Sequence, residues 1–279
     1  MMQFRKITGA KIFFYILLIF FSLVMLLPFA WMLSASLKLN KDVFTFPISW
    51  IPKNPRWENY REIWIQIPLL TFILNTFKLT IIITMLQLLT SSFAAYAFAK
   101  LEFKGRGALF LGYIGTIAVP WQAYMVPQFI MMRNVFHLND THLAIICLQA
   151  FSAFGVFLMR QFYRGIPDEL CEAARIDGMN EYQIWAKIML PLSKPALSTL
   201  VIFTFVAVWN DFLGPQIYLT STEKKTIQIG LRMFISQYST EYGLIMAASV
   251  VALIPVLIVF LSLQKYFVQG IATSGMKDR

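Results

Sequence analysis

The stretch LTIIITMLQLLTSSFAAYAFA, Leu79–Ala99, contains no charged residue, and its apolar character begins earlier, near Phe72. As a helix, such a run is long enough to cross ~30 Å of hydrocarbon. Five more stretches share this character. They are Ile12–Leu33, Ala108–Met132, Leu143–Met159, Ala196–Thr222 and Leu244–Gln264, of which the fifth is interrupted only by Asp211. Open strands and long loops cannot span lipid, because their backbone polar groups would go unpaired. The pattern predicts an all-α membrane protein with six transmembrane helices. The spans fall at 12–33, 72–99, 108–132, 143–163, 196–219 and 244–265, and a loop covers 164–195.

Composition supports this reading. The chain has 279 residues, 58% hydrophobic and 14% charged, against a usual charged share of about 25%. A soluble domain of this length needs more polar surface. Disorder requires the opposite balance. Two cysteines, Cys147 and Cys171, exclude a disulfide scaffold; they are expected to be unpaired. The net charge of +10 belongs to membrane topology, where basic residues collect beside spans, before nucleic acid needs considering. The first span has a basic start at Arg5, Lys6 and Lys11. It is too long for a signal h-region and no small-residue cleavage site follows it, so it reads as a retained anchor.

Lysine and arginine set the orientation. With both termini in the cytoplasm, the inner segments hold 14 basic residues and the outer segments 10. The bias has the sign of the positive-inside rule. The outer loop 34–68 carries Pro47, Trp50, Pro52, Pro55 and Trp57. It reads as an ordered, irregular segment on the outer interface. No repeat and no separate soluble domain is visible, so one transmembrane domain accounts for residues 1–279.

The loop from Gly165 to Pro195 describes two helices. Pro167 suits a first turn, and Asp168 and Glu169 complement a helix N-terminus. Leu170, Ala173, Ala174 and Asp177 share one face. Gly178 is placed just past the first helix, where positive φ is cheap. Asn180 can cap a second helix from Glu181 to about Met189, which Pro191 and Pro195 then stop. Ala173, Ala174 and Gly178 leave the middle of the loop with little bulk. Such a helix can enter a groove on another protein, or pack under its own bundle.

Glu172-Ala173-Ala174, then Asp177-Gly178, then Ile188-Met189-Leu190-Pro191 resembles the EAA motif of bacterial ABC-importer permeases. Met179 departs from the pattern, where the family more often has a small residue. Ser91–Leu101, Trp209-Asn210-Asp211-Phe212 and Tyr266–Ile271 resemble the maltose-type carbohydrate permeases within that family. The resemblance implies the type I ABC-importer permease fold with a cytoplasmic coupling helix. It implies ATPase coupling through Glu172, Ala173, Ala174, Asp177, Gly178 and Met179. It also implies a second permease subunit in a heterodimer, an ATPase dimer holding ATP and Mg, and an extracytoplasmic solute-binding protein. The location implied is the bacterial cytoplasmic membrane, and the cargo a carbohydrate.

No catalytic or metal-binding constellation is present. The sequence lacks a P-loop, a Gly-x-Ser-x-Gly and a His-Glu-x-x-His, so the energy source is another chain, or there is none; the resemblance implies the former, with ATP and Mg on the partner ATPase. His137 and His142 are five apart beside Asp140, a poor ligand spacing. Within the spans, Gln122, Trp209, Asn210 and Asp211 are candidate pathway-lining residues. Asp211 should face the bundle or water rather than lipid. It can line a pathway, or bond backbone groups freed by Gly214-Pro215. Gln87, Gln128 and Gln149 suit polyols, or helix–helix hydrogen bonds. Two other functions compete: a permease for a non-sugar solute, and a secondary transporter, which would need an ion relay beyond Asp211.

Overall fold

The computed structural model describes residues 9–235 and 240–275. Among them every regular element is helical, and one isolated antiparallel bridge joins Ile235 and Thr240. Arg5, Lys6, Lys277 and Arg279, used above for orientation, lie outside the described residues. The chain packs as two compact units. One holds residues up to Ile67 together with Leu231–Leu253; the other holds Pro68–Gly230 and the residues from Ile254 onward.

In the first unit, α1 (Gly9–Ser36) is apolar on every side and exposed over most of its length, with only its last turn, Ser34–Ser36, buried. Such a helix suits hydrocarbon, not water. Its C-terminal carbonyls need partners. Asn59, buried on α2 (Glu58–Gln66), supplies them: its Nδ2 donates to Ser36 O at 2.8 Å and Lys38 O at 2.9 Å. The Ser36 and Tyr60 hydroxyls meet at 2.8 Å, and the buried Lys38 Nζ donates to Ser49 O at 2.6 Å. The outer loop is therefore ordered, and α2 is a helix where an irregular segment was expected.

In the second unit, α3 (Leu69–Lys100) is 32 residues long, about 48 Å at 1.5 Å per residue. It exceeds the bilayer core and runs past two apolar clusters. Leu79 and Ile83 belong to one, with Met132, Ile145, Val208 and Tyr218. Ala95 and Tyr96 belong to the other, with Val156, Met159, Cys171, Ala174 and Met189. Gln87 and Thr90 sit between them along the helix.

Three of the expected spans are broken. The stretch 108–132 divides into α4 (Arg106–Gly115) and α5 (Met125–Asn134), joined by two short 3-10 turns. Val119 and Pro120 are extended there, as the restriction on the residue before proline favours. Pro127 lies in the first turn of α5, where a missing N–H costs nothing. The stretch 143–163 divides at Ala150–Ser152 into α6 (His142–Gln149) and α7 (Ala153–Tyr163). The stretch 196–219 divides at Asn210–Phe212 into α11 (Lys194–Trp209) and α12 (Leu213–Tyr218). Among the described residues, four helical segments are long and apolar enough to cross a membrane: Lys11–Ser36, Leu69–Lys100, His142–Tyr163 and Tyr242–Lys265. The pair Glu181–Leu192 and Lys194–Trp209, bent by 80°, makes a fifth when counted as one span.

A turn beside α6 is held by Asp140. Its carboxylate accepts from the Thr220 and Ser221 amides, the Ser221 hydroxyl at 2.5 Å and Lys224 Nζ at 2.9 Å. The Ser221 hydroxyl and Lys224 ammonium hold it far below the usual carboxylate range. His142 Nε2 lies 2.8 Å from Lys224 O, so its ring is occupied in the same junction.

Candidate functional site

The loop 164–195 begins with α8 (Glu169–Ile176). Pro167 lies before the helix rather than in its first turn. Asp168 sits at the N-cap but makes no side-chain cap. Its carboxylate instead accepts from Lys100 Nζ at 2.5 Å, and the same ammonium donates to Ile166 O at 2.6 Å. That contact lowers the Asp168 pKa from its ordinary value.

Gly178 ends α8 with φ +81°. The Gly178 amide donates to Arg175 O and the Met179 amide to Ala174 O, each at 3.0 Å. This is a Schellman closure, in which the residue after the glycine packs back on the last turn. Met179 is half-buried against the cluster that contains Ala174. Its bulk, unusual for the motif, thus has a packing role. One residue later Asn180 forms a full capping box: its side chain accepts from the Gln183 amide at 2.9 Å, and Gln183 Oε1 accepts from the Asn180 amide at 3.0 Å. Two opposed caps within three residues fix the turn between α8 and α9 (Glu181–Ile184).

Pro191 does not stop the second helix. Trp185–Met189 form a π-helical turn, and the helical run continues as α10 (Leu190–Leu192) through Pro191. A proline ring clashes with the carbonyl four residues back in a regular helix. The wider turn relieves that clash. The chain turns at Ser193, and Pro195 then lies in the first turn of α11.

α3 grips the loop from behind. Arg175 Nε donates to Glu181 Oε1 at 2.8 Å, and the Tyr96 hydroxyl donates to Glu181 Oε2. Arg175 lowers the Glu181 pKa, and Glu181 raises that of Arg175. Cys171 and Ala174 are buried, and burial pushes the Cys171 thiol up. The sequence reading placed Leu170, Ala173, Ala174 and Asp177 on one face. The structure turns only Ala174 of these inward; Leu170, Glu172, Ala173, Asp177 and Gly178 are exposed. Ile176, 86% exposed, joins them. An apolar stripe flanked by carboxylates, on a helix fixed from behind, can fill a groove with a basic rim.

A second feature of this unit lies beside the cluster that contains Ile145, Val208 and Tyr218. A cavity of about 640 Å³ is lined by Gln87, Gln128, Gln149, Thr204 and Asp211, with Trp121 and other aromatic side chains. The α6–α7 break leaves carbonyls without helical partners. Gln87 Nε2 donates to Gln149 O at 2.7 Å and Thr90 Oγ1 to Ala150 O at 2.9 Å. Thr204 Oγ1 in turn donates to Gln87 Oε1 at 2.9 Å. Asp211 bonds a freed backbone group and also faces the cavity. Its Oδ1 accepts from the Gly214 amide at 3.1 Å, starting α12, and its Oδ2 accepts from Gln149 Nε2 at 2.7 Å inside the cavity.

The other three pathway candidates are not in the cavity lining. Trp209 is buried, stacked on Phe205 at 5.6 Å and edge-on to Phe77 at 4.9 Å. Asn210 is exposed at the end of α11, and Gln122 is exposed near Pro120. Sequence reasoning missed Tyr96 and Lys100, whose roles depend on residues 85 and 68 positions away. It also missed Thr204, a hydroxyl within an apolar run.

Residues 8–273 match the family described as binding-protein-dependent transport system inner membrane component. The arabinooligosaccharides transport system permease protein AraQ of Halalkalibacterium halodurans is 38% identical over 203 residues, 73% of this chain and 72% of that protein. The lactose transport system permease protein LacG of Rhizobium radiobacter is 32% identical over 247 residues, 88% and 89%. A chain in the crystal structure of a bacterial ABC transporter involved in the import of the acidic polysaccharide alginate superposes with a TM-score of 0.81 at 26% identity, covering 94% of this chain and 99% of that one. The chain belongs to this family of multi-pass membrane components of transport systems.

Proposed function

We propose that this member of the binding-protein-dependent permease family imports a carbohydrate across the bacterial cytoplasmic membrane, powered by ATP hydrolysed on other chains. The sugar reading rests on relatives whose names specify arabinooligosaccharide and lactose transport. The whole chain acts as one permease domain with six crossings, at 12–33, 72–99, 108–132, 143–163, 196–219 and 244–265. At two of the breaks side chains of this chain meet the freed backbone groups, Gln87 and Thr90 at Ala150–Ser152 and Asp211 at Gly214, as broken backbone at membrane depth requires. Both termini and the loop 164–195 face the cytoplasm. A second permease completes the pathway as a heterodimer, and an extracytoplasmic solute-binding protein delivers the cargo.

The observation that carries this reading is the loop. α8 projects Leu170, Glu172, Ala173, Ile176 and Asp177 outward, while Lys100, Tyr96, Arg175 and Glu181 tie it to α3. A helix so held is a coupling helix. A push on its outer face is delivered to the longest helix of the second unit, not absorbed by the loop. When an ATPase dimer, with its ATP and Mg, closes beneath two such loops, the pathway switches sides by rigid-body motion.

The test is hydrolysis. The purified chain alone has no ATPase activity, and activity appears once the ATPase subunit is added. Hydrolysis by the chain alone would overturn the proposal.

A further inference from the structure

The cavity beside Ile145, Val208 and Tyr218 has one carboxylate, Asp211, and its lining contains no lysine, arginine or histidine. Its volume, about 640 Å³, falls within the range of small-ligand pockets, roughly 300–1,000 Å³. Gln87, Gln149 and Thr204 use their donors within the protein, but Asp211 and Gln128 keep positions open to the cavity. A carboxylate has about four acceptor positions; two are taken here, by the Gly214 amide and Gln149 Nε2. Gln128 Oε1 is held by Trp121 Nε1 at 2.8 Å, which leaves the Gln128 amide nitrogen as a donor. Aromatic walls beside amides and a carboxylate suit a ring with hydroxyls on its edge and C–H groups on its face.

We propose that this cavity is a sugar-binding site within this subunit, and that Asp211 makes it selective for neutral sugars over anionic ones. Sugar hydroxyls donate to Asp211 and accept from Gln128. A uronate or phosphate group brought into the same cavity meets the Asp211 carboxylate with no cation in the lining to offset it. Gln149 and Asp211 stand at the breaks of two different helices. A bound hydroxyl that takes over the Gln149 contact therefore touches the α6–α7 and α11–α12 junctions together.

The inference rests on the importer reading, and the experiment separates the two. The assembled transporter, without its solute-binding protein, is tested by equilibrium dialysis against two labelled mixtures of matched chain length. One is of neutral plant oligosaccharides, the other of uronic-acid oligosaccharides. The complete system in vesicles is tested for ATP-driven uptake of the same mixtures. Wild type is expected to bind the neutral mixture and not the acidic one. Asp211→Asn keeps an oxygen for the Gly214 amide and loses about tenfold in neutral binding, the effect of a lost charge-assisted hydrogen bond. Gln128→Lys leaves Asp211 and its cap in place and gains binding of the acidic mixture, which a structural role for Gln128 would not produce. Uptake without any binding to the assembled transporter overturns the cavity and leaves the importer. So do tighter acidic than neutral binding, or variants indistinguishable from wild type. Uptake of neither mixture overturns the importer reading and the cavity with it.

Discussion

Gly178→Leu is expected to insert normally and to lose ATP-driven uptake by more than about tenfold, because the added side chain meets a partner and not this chain. A Cβ built at Gly178 has nothing within 4 Å, so no clash arises inside the protein. The cost that remains is conformational. Gly178 has φ +81°, and a left-handed conformation costs an ordinary residue about 1–2 kcal/mol. A loss of that size frays the end of α8 without unfolding a protein stable by roughly 5–15 kcal/mol. Gly178→Asn separates the two effects. Asparagine tolerates positive φ but still projects a side chain. If the loop docks in a cleft, both variants lose uptake. Normal uptake by the asparagine variant would assign the glycine to backbone geometry alone, and normal uptake by the leucine variant would remove the docked loop from the account.

Gly155→Leu is expected to yield no folded protein. Gly155 lies in the first turn of α7, where that helix meets α3. A Cβ there would overlap Ser91 Oγ and stand 3.0 Å from Ser91 Cβ and 3.2 Å from Leu200 Cδ1. Ser91 and Leu200 are both buried, and Ser91 Oγ has no hydrogen-bond partner. Small residues at such a seam let backbones approach, and van der Waals packing then holds the helices together. Gly155→Ala should survive but lose about 1–3 kcal/mol, read as a lower melting temperature by size-exclusion chromatography after heating. Gly155→Ala combined with Ser91→Gly should recover most of that loss, since the serine side chain is what the new methyl meets. A leucine variant as stable as the parent would show that the seam is not close-packed.

The helices that the sequence revealed best are those whose signal is local. Ile12–Leu33, Leu79–Ala99 and Leu244–Gln264 carry no charged residue, and each lies within one continuous helix. The turn of the loop was equally legible, because Gly178 and Asn180 act within three or four residues of themselves. The break at Ala150–Ser152 was not. It contains no proline or glycine, and what makes it affordable is a pair of side chains on α3, Gln87 and Thr90, about 60 residues away. Pro120, by contrast, marks the break in 108–132 locally, because proline restricts its own backbone and that of Val119. Asp211 was found because an acid in an apolar run is conspicuous. Its neighbour Trp209 was drawn toward the pathway by proximity in sequence. In space Phe77 and Phe205 enclose it.

The central claim is that the face of α8 carrying Ala173 is covered by an ATPase on the cytoplasmic side. Ala173 is exposed while Cys171 is buried, so Ala173→Cys in a Cys147→Ala background gives one accessible thiol on that helix. The measurement is its labelling by a membrane-impermeant maleimide, in sealed vesicles of either orientation, with and without the ATPase subunit bound. Labelling is expected only in inside-out vesicles stripped of the ATPase, with protection when the ATPase is restored. Labelling from the outer side, or undiminished labelling with the ATPase in place, would contradict it.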